Sequence, residues 1–278
     1  MSRNFKVEIT PNSTKFNYKE LFTYKDLIAE FVKRNFVTIY KQTILGPLWI
    51  VLTPIVTSVI FTIIFGGIAN IDTNGVPHFL FYLTGTSLWT FFSTTLINIS
   101  NTFILNAPVF SKVYFPRFTV PISQVITSIF NLLIQIVIIA IVIVFYLANG
   151  IEINISLNIM FIPLIILLTS MLSLACGIIV SSLTTRYRDL VLAMNFGIQL
   201  WMYLSPVVYP LASTSGLNKL FLYFNPITSY LELYRYCFFG VGEINFPFLL
   251  YSISISFILF TLGVKLFNKI ERNFVDTI

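Results

Sequence analysis

Residues 217–241 read LNKLFLYFNPITSYLELYRYCFFGV, and whether this stretch crosses a bilayer decides how many times the chain does. It is long and apolar enough to do so, since about 20 residues at about 1.5 Å each cross a hydrocarbon core of about 30 Å. It also carries Asn225-Pro226, Glu232 and Arg235, which are expensive at mid-membrane. A crossing here would put Lys265, Lys269 and Arg272 on the opposite side from the other basic segments. The stretch therefore reads as a re-entrant or interfacial helical hairpin on the external side, within 212–245. Backbone of that kind is tolerated where it packs on protein or lines a water-filled cavity.

Around it, six runs read as spans: 47–69, 79–101, 119–147, 158–184, 190–211 and 246–267. Of the chain's 17 Lys and Arg, only Lys219 and Arg235 then fall outside, while Asp72, Glu152, Glu232 and Glu243 all do. That asymmetry obeys the positive-inside rule and places both termini in the cytoplasm. Composition agrees: 56% of the 278 residues are hydrophobic and 10% are charged, against about 25% charged in soluble domains, and mean hydropathy is +0.86. The fold class is all-α integral membrane. From Pro47 onward the apolar runs leave no room for a second soluble domain. The net charge of +6 sits at the ends of apolar runs rather than in a patch with stacking aromatics, so a nucleic-acid partner is not indicated. Cys176 lies within a span and Cys237 in an apolar loop, far apart, which argues against both a disulfide framework and a metal site.

Residues 1–17 form a polar tail with no apolar core, so a cleavable signal peptide is not expected. Residues 18–41 form an amphipathic helix. Leu21, Tyr24, Leu27, Ile28, Phe31, Val32, Phe36 and Ile39 lie on one side; Lys19, Asp26, Glu30, Lys33, Arg34 and Lys41 lie on the other. Such a helix suits the membrane interface, as an anchor or as a contact for a cytoplasmic partner. The transmembrane domain occupies 42–278.

Several chemistries are missing. There is no G-x-x-x-x-G-K-[ST] for binding ATP, no H-E-x-x-H and no zinc-type cysteine pair. The spans hold essentially no Asp, Glu, His or Arg from which to build an ion relay, and the single histidine, His78, reads as interfacial. A transporter built this way needs an ATP-hydrolysing partner in the cytoplasm. Besides the N-terminal helix, two elements could contact it. The loop 102–118 carries Asn106-Ala107-Pro108-Val109-Phe110-Ser111-Lys112-Val113-Tyr114-Phe115-Pro116-Arg117, and is longer than a bare connection requires. For the tight, charged link Arg186-Tyr187-Arg188-Asp189, positive-inside anchoring is a strong explanation on its own.

At these residues the chain resembles the ABC-2 type permeases that export polysaccharides and polyol phosphates: O-antigen, capsule and teichoic acid. The resemblance rests on Tyr40-Lys41-Gln42-Thr43-Ile44-Leu45-Gly46-Pro47-Leu48-Trp49 entering the first span and on Lys112-Val113-Tyr114-Phe115-Pro116-Arg117. Further along it rests on Arg186-Tyr187-Arg188-Asp189-Leu190, Ser205-Pro206-Val207-Val208-Tyr209 and Asn225-Pro226. It implies a homodimer above two ATPase subunits that bind ATP and Mg, with no cofactor in this chain. It implies ATPase coupling through Asn106, Val109, Phe110, Ser111, Lys112, Tyr114, Arg117, Arg186, Arg188 and Asp189. It also implies an external gate that includes Asn225, Pro226, Glu232 and Arg235, and a path between the two copies beside the first and fifth spans.

Candidate path residues are Trp49, Pro54, Ser58, Thr62, Trp89, Pro206 and Tyr209. Aromatic faces can stack on the C–H faces of sugars, and hydroxyls can exchange hydrogen bonds with a passing glycan. Trp49 and Tyr209 are equally explained by the aromatic belt. Pro54 and Pro206 remove backbone donors and permit bending. Glu232 and Arg235, three apart, can pair on one helix face. The expectation is the permease subunit of an ATP-driven exporter of a lipid-linked surface glycan, in the plasma membrane (the inner membrane of a Gram-negative source). An exporter of drugs or small amphiphiles, a membrane-embedded transferase and a passive channel or scaffold are the alternatives.

Overall fold

The computed structural model describes residues 18–41, 46, 48–110, 112–113, 115–154, 156–185, 187, 189–242 and 244–275. It is 82% helix, and no strand occurs among the described residues. In chain order the helices are α1 (Tyr18–Thr23), α2 (Lys25–Lys41), α3 (Leu48–Phe61), α4 (His78–Ser100), α5 (Thr102–Phe110), α6 (Thr119–Ala148), α7 (Ile162–Thr184), α8 (Leu190–Tyr203), α9 (Gly216–Phe224), α10 (Pro226–Phe239) and α11 (Phe246–Val275). Thr62–Ile68 continues α3 as π-helical turns, and a 3-10 turn, Leu157–Phe161, leads into α7.

Among the described residues, four stretches are long and apolar enough to cross a membrane: Leu48–Ile68, Thr119–Ala148, Asn158–Thr184 and Phe246–Ile270. α4 has the length, 23 residues, but reads as more polar because Thr and Ser alternate with its apolar residues. The structure supplies the reason. α4 is the central helix, packed by α3, α6, α7, α8 and α10, and 17 of its 23 residues are buried. A helix surrounded by protein has no lipid to satisfy. Its hydroxyls fold back on their own helix: Thr84 on Leu80 O, Thr86 on Tyr82 O, Thr95 on Phe91 O. Such bonds hide the polar atoms and cost the helix little.

Small residues let neighbouring helices close on one another. A side chain at Gly177 of α7 would strike Ile99 of α4, its Cβ falling 2.7 Å from that residue's Cβ. Gly263 of α11 is covered in the same way by Ile178 of α7. Close approach over glycine gives the van der Waals packing that drives helix association in lipid.

The N-terminal segment differs from the single helix expected over 18–41. It breaks at Tyr24 into α1 and α2. The apolar side of α2 faces protein rather than lipid: Phe31 is buried against Phe115, with ring centroids 5.5 Å apart, and Phe36 meets Phe130 edge-on at 5.7 Å.

The stretch 217–241 is two helices, α9 and α10, meeting at Asn225. Eleven of the 14 residues of α10 are buried, against α4, α7 and α11. Cys237, expected in a loop, is inside this helix and buried. α8 ends at Tyr203, well before the expected Leu211. Pro206 has no N–H to give and disfavours helical geometry in the residue before it.

Candidate functional site

Two clusters gather most of the residues singled out in the sequence, one at each end of the bundle. At the first, the end of α8 is clasped by α9 and α10. Once α8 stops, the carbonyls of Leu204, Pro206 and Val207 have no helical partner, and side chains supply one. Asn225 donates through Nδ2 to Leu204 O at 3.1 Å and to Ser205 Oγ at 2.8 Å. Its Oδ1 accepts from Trp201 Nε1 at 3.0 Å and from the Ile227 N–H at 3.4 Å. One residue thus caps the start of α10, where Pro226 sits at the first helical position, and fixes the end of α8.

Arg235 completes the clasp. Its Nη1 donates to Pro206 O at 2.5 Å and its Nη2 to Val207 O at 2.6 Å. Nη1 also pairs with Glu232 Oε1 at 3.3 Å. The guanidinium lies 3.8 Å from the centroid of Phe81 on α4. Arg235 is 2% and Glu232 is 3% exposed, so the pair is fully desolvated. Arg235 fits because Gly85 leaves room: a Cβ there would collide with Nη2 and lie 2.8 Å from Val207 O. Pairing on one helix face was legible from the three-residue spacing. The two carbonyls that Arg235 holds, and the glycine that admits it, were not. The planar fork of arginine is what lets one side chain serve both oxygens.

Beside this clasp is an apolar groove of about 410 Å³, lined by Trp201, Leu204, Phe221, Leu222, Asn225 and Pro226. Along α9, Leu217, Leu220, Phe221 and Phe224 recur at helical spacing and are exposed. The other side of the helix is anchored by Tyr223, stacked on Phe248 of α11 at 4.3 Å and 9°.

At the opposite end, α5 is a short helix containing Pro108. Asn106 is 7% exposed and faces inward: its Oδ1 accepts from Arg34 Nη2 at 3.1 Å, and its Nδ2 donates to Thr102 O at 3.0 Å. Arg34 also lies over the Phe31 ring at 4.7 Å. Partial burial draws its pKa below the ordinary value, and it remains a cation. Phe110 and Arg117 are buried as well, with Arg117 over the Phe110 ring at 5.4 Å. Of the coupling set, Val109 is half-buried, and Lys112 and Asp189 are exposed. Leu105 at 70% and Val113 at 60% are exposed beside them and were not singled out. Ser111, Tyr114, Arg186 and Arg188 lie outside the described residues. Arg34 was read only as part of a polar face. Its role needs Asn106 of α5 brought within reach of α2, which no local pattern announces.

The path candidates divide. Trp49 is exposed on α3. Pro54 and Ser58 are buried where α3 meets α4; Ser58 Oγ donates to Pro54 O at 2.6 Å and lies 3.0 Å from Thr86 Oγ1. Thr62 is half-buried and bonds back to Ser58 O at 2.7 Å. Trp89 is buried beside Phe92 and Trp201. Pro206 is buried under Arg235, and Tyr209 is half-buried with its hydroxyl on Tyr203 O at 3.2 Å. Among the described residues no three His, Cys, Asp or Glu side chains converge as metal ligands would.

The model of the ABC-2 type transporter family matches residues 27–239, a range that contains both clusters. Curated relatives align over nearly the whole chain. Two proteins of Klebsiella pneumoniae, each named O-antigen export system permease protein RfbA, are 28% and 27% identical over 263 residues, covering 94% of this chain and 97% of each relative. A protein of the same name from Myxococcus xanthus is 24% identical over 262 residues, covering 94% and 98%.

Proposed function

The chain belongs to the ABC-2 type transporter family, and from that premise we propose that it is the permease subunit of an ATP-driven exporter of a lipid-linked surface polysaccharide of the O-antigen kind. The observation that carries the reading is end-to-end alignment with three relatives named O-antigen export permeases, covering 94% of this chain and nearly all of theirs. A transferase needs clustered acid–base or metal-binding side chains, whereas Glu232, the buried carboxylate described here, is held in an ion pair with Arg235 inside a structural clasp.

The proposal has a definite topology. Six segments cross the plasma membrane: α3 with its π-helical end, α4, α6, α7, α8 and α11. Both termini lie in the cytoplasm, as the basic residues require. α4 crosses while shielded by protein, and α8 crosses with help from the irregular backbone that follows it. The α9–α10 pair is then an external cap, and α2 with α5 is the cytoplasmic face. Two copies assemble over two ATPase subunits that bind ATP and Mg. The exposed sides of α3 and α8, from Trp49 to Leu204, border the path. Asn106 and Arg117 support the coupling segment from within, and Leu105, Lys112 and Val113 offer the surface that meets the ATPase.

The test is depletion of the protein in its own cell, followed by analysis of the envelope. The expected outcome is loss of polymer at the surface with lipid-linked glycan retained inside. An unchanged surface polymer would refute export, and retained glycan with no ATPase co-purifying would refute the motor arrangement.

A further inference from the structure

The outer end of α3 is held differently from the cap beside it. The seven residues Thr62–Ile68 are π-helical, a geometry that is rare at this length and survives where neighbours hold it. The helix leading into it is already weakened. Pro54 lacks a donor, and Ser58 and Thr62 bond back to carbonyls four residues earlier, a habit that bends helices. Gly66 and Gly67 then lower the local preference for any one helical form. Beyond them the Ala69 N–H reaches Ile64 O and the Ile71 N–H reaches Phe65 O, both at 2.8 Å.

What holds the wide turns is one ring. His78, first residue of α4, lies against Gly66: a Cβ at that glycine would fall 2.7 Å from Cδ2 and 3.0 Å from Cγ. The same ring places Nε2 3.1 Å from Ile71 O, so it clamps the π turns and the chain leaving them. Phe65 adds contacts to Phe61 at 5.5 Å and to Tyr82 at 6.4 Å. The cap, by contrast, is fastened by Arg235, Asn225 and the Tyr223–Phe248 stack at separate points.

We propose that the outer end of α3 is a register switch, π-helical here and α-helical in its second state, with His78 over Gly66 as the latch. A change of one residue in register turns the following residues by roughly 100° and shifts them by about 1.5 Å along the axis. A side chain about 5 Å from that axis moves by about 8 Å. The change takes Phe65 off Tyr82 and alters which of Ile63, Ile64 and Ile68 face outward. The switch itself stands on this geometry alone. That it widens the glycan path rests on the proposed function.

Two arms test it, in full-length protein with Cys176 and Cys237 replaced by alanine. In the first, nitroxides at Ile68→Cys and Met160→Cys report a distance in lipid nanodiscs. Adding His78→Ala releases the latch, and a second distance population displaced by several ångströms is expected. A distribution unchanged by His78→Ala overturns the switch. In the second, Gly66→Cys is combined with His78→Cys. The Cβ positions, 3.2 Å apart, lie close to the ~3.5–4.5 Å of a disulfide. Oxidation is expected to stop export and reductant to restore it, with each single variant insensitive. Undiminished export by the oxidised pair overturns the latch. If the parent exports nothing, the functional reading fails, and the distance arm still decides the switch.

Discussion

Replacing Arg235 with methionine keeps much of the side chain's apolar stem and removes the guanidinium that ties α10 to the end of α8. Three groups lose the Arg235 guanidinium: Pro206 O, Val207 O and Glu232 Oε1. Breaking a buried ion pair from one side costs about 3–5 kcal/mol, because the other charge stays buried. Each orphaned carbonyl adds about 1–3 kcal/mol. The three share one site, so the terms overlap. The expected loss is about 4 kcal/mol or more, roughly a thousandfold in the folded-to-unfolded ratio. Reversible SDS unfolding in mixed micelles measures it. Adding Glu232→Gln removes the buried charge that has lost its counterion while both carbonyls remain orphaned, so the double variant is expected to regain about 2 kcal/mol of the loss. Arg235→Lys, a point charge without a fork, is expected to fall between methionine and the parent. An Arg235→Met protein within about 1 kcal/mol of the parent would show that the clasp contributes little. A double variant no better than the single one would show that the loss does not come from the Glu232 charge.

Asn225→Ala removes a helix cap and two donors to the end of α8, and is expected to cost about 2–3 kcal/mol in the same assay; Asn225→Ser, which keeps a cap but cannot span to Leu204 O, should recover less than half. Arg34→Ala frees α2 from Asn106 of α5 and removes the cation over the Phe31 ring of its own helix, a half-buried contact of about 1 kcal/mol. Faster hydrogen exchange across 25–41, with the core of α4 unchanged, is the expected readout. Gly177→Ala drives a methyl group into Ile99 and is expected to destabilise the α4–α7 contact by about 1–3 kcal/mol, visible as a lower unfolding midpoint.

The fold was legible wherever lipid imposes one rule on many residues. Long apolar runs and one-sided basic residues marked α3, α6, α7 and α11. The polar atoms of Glu232, Arg235 and Asn225 marked the stretch that is not a simple span. Legibility ended where a decision depends on packing. The hydroxyl-rich face of α4 carries the same letters whether it lines a pathway or sits inside a bundle, and only its neighbours show the second. Ser58 looked available to a passing glycan because a serine in a span is conspicuous; its hydroxyl is spent on Pro54 O and Thr86. Asn106 and Arg117 looked like a contact surface for a partner, yet both face inward, since a short loop buries its larger side chains to stay folded. The register of Thr62–Ile68 was unreadable for another reason: α- and π-helical turns admit the same residues, and the difference is made by a histidine ring from the next helix.

The shortness of α8 bears on the lipid around it. Fourteen residues rise about 21 Å, while a bilayer core is about 30 Å deep. On the six-span topology the remainder is crossed by the turns from Leu204 to Tyr209, where the carbonyls of Leu204, Pro206 and Val207 are satisfied by Asn225 and Arg235 rather than by a helix. On that topology the side of the chain at α8 would present a thinner hydrophobic belt than the side built from the 30-residue α6 and α11. Bilayers pay for such mismatch by thinning or by tilting the helices within them. On the proposed topology and function, the flank where α8 stops early is where the bilayer would thin, and a lipid-borne cargo arriving there would have less hydrocarbon to cross.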